Sequence, residues 1–113
     1  MLPLLRKLWT TLFMAEPEVT KAMVARVVGE VRDISVLFDI DVDDYLVNHL
    51  ADKDAAYDIP TEIFLEQDVG ERRRALLRLL INQKMISYAQ YVHRLKDELF
   101  CVNLDRWLNG NSL

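Results

Sequence analysis

Five apolar residues, Val24, Val27, Val31, Ile34 and Phe38, recur at alternating intervals of three and four. That is the period of one helical face, and a chain carrying such a seam must bury it against other helices or a partner. Ala22, Ala25 and Gly29 form a strip of small residues beside it. A glycine inside a helix costs about 1 kcal/mol relative to alanine. Close approach of a second helix at Gly29 is therefore expected. Pro17, after Glu16, is suited to start this helix.

The seam overlaps a second pattern. Ile34, Val36, Phe38, Ile40 and Val42 alternate strictly, as in a half-buried strand, and TEIFLEQD alternates too. Pairing the two would place Asp39, Asp41 and Asp43 on the same face as Glu62, Glu66 and Asp68, where like charges oppose a ladder. An isolated pair of strands is also marginal in water. The helix is thus expected to end near Phe38 or Asp39, with one short extended segment near 34–42 as the open alternative.

Capping chemistry divides the rest of the chain. Asp41 is placed to cap a short helix with Asp43 and Asp44 in its first turn and Val42, Tyr45, Leu46, His49 and Leu50 on its inner face. ADKDAAYDIP reads as a loop, and Pro60 as the opening of a helical turn bearing Ile63, Phe64 and Leu65. Asp68 with Glu71, and Ser87 with Gln90, stand at capping-box spacing ahead of ERRRALLRLLINQKM and YAQYVHRLKDELF. In the second of these Tyr91, Val92, Leu95 and Leu99 are expected on the inner face. Asn103 would begin a last turn that Gly110 stops in the left-handed conformation. The fold expected is all-α, a compact bundle of about five to six helices forming one domain over residues 1–113.

Composition removes most chemistry. With 3 Gly and 1 Cys there is no glycine-rich phosphate cradle, disulfide framework or cysteine zinc cluster. A reducing, cytoplasmic setting follows. DIDVDD opens like a calcium loop but has Asp44 at the sixth position and Leu50 at the twelfth, where glycine and glutamate are needed. His49 and His93 lack Glu-x-x-His partners, so no metal and no cofactor is expected. Cys101 reads as a packed thiol, with carboxylates rather than cations one turn back. No serine has a base at local spacing, and the chain reads as no enzyme.

The net charge of −4 conceals a division: residues 1–15 carry +2, residues 16–70 carry −10 and residues 71–113 carry +4. Such a layout steers oppositely charged partners. The opening MLPLLRKLWTTLFMAE is apolar on most sides, with Leu5, Trp9, Leu12 and Phe13 available to pack on a core or partner. It could alternatively lie at a membrane interface or resemble an organellar presequence, and it makes a poor secretory signal because its charges interrupt the apolar stretch.

The 18 Leu, 11 Val, 6 Ile and 10 aromatic residues exceed what so small a core readily buries, so some should close an interface. The function expected is a small non-catalytic interaction protein of the adaptor, chaperone, immunity or inhibitor type, a homodimer or part of a hetero-complex. It would dock through an apolar helical face and through an acidic surface of Asp39, Asp41, Asp43, Asp44, Asp52, Asp54 and Asp58 that meets a basic protein. The alternative is a nucleic-acid-binding regulator using Arg72, Arg73, Arg74, Arg78 and Arg94. LDRWLNGNSL, with Leu104, Trp107 and Gly110, resembles the close of a recognition helix in repressor-type helix-turn-helix proteins. The resemblance implies a turn between Leu95 and Leu104, which here lacks glycine and is about three residues too long for a turn of that kind.

Overall fold

The hydroxyl of Thr20 accepts the backbone N–H of Met23 at 3.1 Å and starts α1, Lys21–Phe38. The computed structural model describes residues 18–50 and 59–113. Residues 18–20 are not helical, so the helix begins at this side-chain cap rather than at Pro17. α1 ends at Asp39, which takes the left-handed conformation with φ 53° while its N–H bonds Ser35 O. Aspartate is one of the few residues other than glycine that enters this region readily.

This termination resolves the competing periods. Ile34 and Phe38 are fully buried in α1, whereas Val36 is 71% exposed, as a helix requires and a strand would not. No strand occurs among the described residues.

Among the described residues five further helices follow: α2, Asp43–Leu50; α3, Thr61–Leu65; α4, Val69–Asn82; α5, Tyr88–Arg94; and α6, Glu98–Leu108. Asp41 accepts the N–H of Asp43 at 2.9 Å ahead of α2, Asp68 that of Glu71 at 2.9 Å, and Ser87 that of Gln90 at 3.0 Å. α1 packs on α3, α4 and α6, and α4 packs on α3 and α6. Val27, Val31, Ile34 and Phe38 meet Ile63, Phe64, Leu76, Leu80, Leu104 and Trp107 in one core. The ring of Phe38 lies edge-on to Phe100 with centroids 5.0 Å apart.

Two expectations are corrected. The helix from Ser87 does not run through Leu99. It stops after Arg94, and Asp97 caps a new helix by accepting the N–H of Phe100 at 3.2 Å. The break resets the helical phase. Phe100, Leu104 and Trp107 become the inner face of α6, while Val92, Leu95 and Leu99 turn outward and only Tyr91 stays half-buried. α6 then runs without interruption through Asn103, and Gly110 follows it at φ 95°.

The close approach expected at Gly29 lies instead at Gly70. A methyl group on Gly29 would meet no atom within 4 Å among the described residues, and Ala22 and Ala25 are exposed beside it. One on Gly70 would sit 3.0 Å from Leu108 O and 2.7 Å from an Arg74 Nη1 that can move aside. Gly29→Ala is accordingly expected to raise unfolding stability by about 0.5–1 kcal/mol. Gly70→Ala is expected to lower it by about 1 kcal/mol, because the backbone of α6 must give way. Urea titration of the two variants checks both signs, and a loss at Gly29 would mean that another helix covers this face.

Candidate functional site: a docking groove and its ionic support

Two charged residues stand within the apolar stripes. Glu30 lies three residues after Val27 and four before Ile34, and Arg72 lies four before Leu76, so helical geometry carries both inward. Glu30 is 4% and Arg72 2% exposed. They meet in a bidentate pair, Arg72 Nε to Glu30 Oε1 at 2.5 Å and Nη2 to Oε2 at 3.0 Å, while Arg72 Nη1 reaches Glu66 O at 2.7 Å. Arg73 donates Nε to Glu30 Oε2 at 2.9 Å and Nη1 to Trp107 O and Asn111 O at 2.6 and 2.9 Å.

The Arg73 guanidinium also lies over the Trp107 ring, 4.8 Å from its centroid, and Trp107 Nε1 donates to Asp33 Oδ2 at 2.9 Å. One carboxylate thus joins α1 to α4 and, through Arg73, to the end of α6. Pairing and hydrogen bonding are what make such a buried charge tolerable.

Val36 and Leu37 of α1, Leu99, Phe100, Asn103 and Arg106 of α6, Arg94 and Asp97 beside them, and the tail residues Ser112 and Leu113 enclose a groove of about 520 Å³. Three apolar side chains on its rim are exposed, Val36 at 71%, Leu99 at 68% and Leu113 at 54%. Arg73 holds the tail that forms one wall through Asn111 O, and Asn111 in turn donates its N–H and its side-chain Nδ2 to Arg106 O at 3.1 and 2.9 Å.

The sequence-derived site residues divide among these places. Asp39, Asp41, Asp43 and Asp44 are all exposed at the α1–α2 junction, and Asp43 pairs with Arg32 at 3.1 Å. Asp52, Asp54 and Asp58, and the apolar set Leu5, Trp9, Leu12 and Phe13, lie outside the described residues. Arg74 and Arg78 are exposed on α4, whereas Arg72 and Arg73 serve the interior and cannot reach a phosphate without breaking the Glu30 cluster. Arg94 is half-buried in the groove, 5.9 Å from the Phe100 ring centroid.

The groove itself escaped sequence reading because Leu99 was assigned to the core. The signal that would have exposed it is Asp97 followed by Glu98, an acidic start to a new helix. Among the described residues no three His, Cys, Asp or Glu side chains are placed to hold a metal ion, and the Cys101 thiol donates to Leu95 O at 3.2 Å.

α5 and α6 are joined by three residues, Leu95 to Asp97, the short connection of a helix-turn-helix. The length expected in the turn is taken up as extra helix in α6. The outward face of α6, however, presents Glu98, Leu99, Val102, Asn103, Asp105 and Arg106. A helix that reads DNA offers polar donors to base edges and cations to phosphates. Two exposed aliphatic side chains with acidic neighbours fit an apolar protein surface better.

No protein-family model, curated protein or solved structure matches the chain. No helix among the described residues is long and apolar enough to cross a membrane.

Proposed function

We propose that this protein is a non-catalytic interaction module that docks another protein in the groove between α1 and α6. The observation that carries this reading is the exposure of Val36, Leu99 and Leu113 around one open, partly apolar groove. Apolar side chains gathered at a concavity contribute to association when a partner removes them from water, at roughly 25 cal/mol per Å². The exposed carboxylates Asp39, Asp41, Asp43 and Asp44 supply a second, electrostatic contact that accelerates encounter with a basic partner. An adaptor, chaperone, immunity or inhibitor role falls within this class, in a homodimer or a hetero-complex and in a cytoplasmic setting.

Affinity capture with the full chain and with Leu99→Asp tests the reading. A partner recovered at fixed ratio by the native chain should be lost from the variant while helical circular dichroism is kept. Substituting Asp41, Asp43 and Asp44 by Asn should slow association and flatten its salt dependence without abolishing binding. Identical recovery by the native chain and Leu99→Asp would overturn the assignment of the groove.

The short α5–α6 connection favours a second reading, duplex DNA binding with Arg74 and Arg78 as phosphate contacts. It requires a mobility shift that weakens steeply with salt and disappears in Arg74→Ala/Arg78→Ala.

A further inference from the structure

We infer that the occupant of the α1–α6 groove is an amphipathic segment of a partner protein that carries carboxylates beside its apolar residues. The inference rests on the docking reading and adds the chemistry of the partner. Arg94 and Arg106 both line the groove, and neither has an ion pair among the described residues. Among the described residues Arg94 makes a single hydrogen bond, from Nη2 to the carbonyl of Phe38 at 3.4 Å, beside the Phe100 ring. Two guanidiniums therefore line the groove with most of their hydrogen-bonding capacity open among the described residues. Arginine binds carboxylate with two parallel charge-assisted bonds, and an occupant that excludes water strengthens them.

The opposite charge at the other end sets polarity. Asp97 already accepts the N–H of Phe100, and Glu98 follows it, so the start of α6 repels an anion while Arg106, two turns on, attracts one. A segment with its carboxylates toward Arg106 and its apolar side chains on Val36 and Leu99 satisfies both ends. From Leu99 to Arg106 α6 advances about 10 Å, so a helical or extended segment of about a dozen residues or fewer covers the groove. Nucleic acid would also meet the arginines, but it would bring phosphates onto exposed Leu99 and beside the carboxylates of Asp97 and Glu98, which repel them.

Selection of a displayed library of random peptides of that length against the full chain, with subtraction on Leu99→Asp, tests the inference. The Leu99-dependent pool should be enriched in Asp and Glu among large apolar residues. A synthetic consensus peptide, followed by fluorescence anisotropy, should bind about tenfold more weakly to Arg106→Ala, and about tenfold more weakly to the native chain when its acids become Gln.

A Leu99-dependent pool enriched in Lys or Arg, or indifferent to Arg106→Ala, would overturn the acidic partner and leave the groove as a docking site. No Leu99-dependent pool would overturn the docking reading itself. Duplex DNA that binds the native chain and is lost with Arg106→Ala would overturn the inference in favour of phosphate.

Discussion

Glu30→Ala is expected to destabilise the protein by about 3–5 kcal/mol, because it leaves the buried Arg72 guanidinium without its carboxylate. Arg72 is 2% exposed and has no second acid to turn to among the described residues, since Glu66 offers it only a backbone oxygen. Arg73 loses the same partner but keeps the carbonyls of Trp107 and Asn111. A domain of this size has a total stability of roughly 5–15 kcal/mol, so the variant should unfold at a much lower urea concentration or fail to fold at 37 °C. Removing both charges is a different experiment. Glu30→Leu with Arg72→Met restores apolar contacts on both sides, and should recover most of the loss because neither charge remains to be desolvated. A double variant no more stable than Glu30→Ala would show that the pair supplies net attraction beyond mutual neutralisation.

Trp107→Ala is expected to cost about 3–5 kcal/mol, the range for truncating a large buried aromatic side chain. Trp107 is fully buried and joins two kinds of contact, filling the core between α1, α4 and α6 while its Nε1 donates to Asp33. Trp107→Phe keeps most of the volume and loses that donor, so a smaller cost of about 1–2 kcal/mol is expected from the same urea titration. Asp33→Asn should then change the native chain but have little further effect in Trp107→Phe. Additive losses in the double variant would show that Asp33 acts through another group.

Local chemistry was the legible part of this chain. The ends of the helices are written in residues a few positions apart: Asp68 with Glu71, Ser87 with Gln90, and Gly110 after Leu108. Charge argued against the strand-like alternation through Val42, because a pairing that stacks carboxylates is unfavourable, but a short extended segment near 34–42 stayed open until the burial of Ile34 and Phe38 beside exposed Val36 settled it as helix.

What stayed hidden depends on contacts distant in sequence. The three-and-four recurrence of Val92, Leu95 and Leu99 continues across the break after Arg94, so periodicity alone extends the helix and turns Leu99 inward. Packing of Phe100, Leu104 and Trp107 on α1 and α4 decides otherwise. Gly29 shows the same limit, since a small residue permits a neighbour without creating one. The buried ion cluster was half visible: Glu30 interrupts the seam between Val27 and Ile34, and Arg72 stands four residues before Leu76. Neither position shows which opposite charge it meets 42 residues away.

The tether from Arg73 to Asn111 gives the groove a thermodynamic character of its own. The wall ending in Leu113 hangs from a guanidinium whose other hydrogen bonds are to Trp107 O and to the carboxylate that neutralises Arg72. A ligand that needs this wall in place binds the folded chain and not the unfolded one, and therefore raises the melting temperature by mass action. By the same linkage, a thermal shift assay can read occupancy of the groove from the stability of the core.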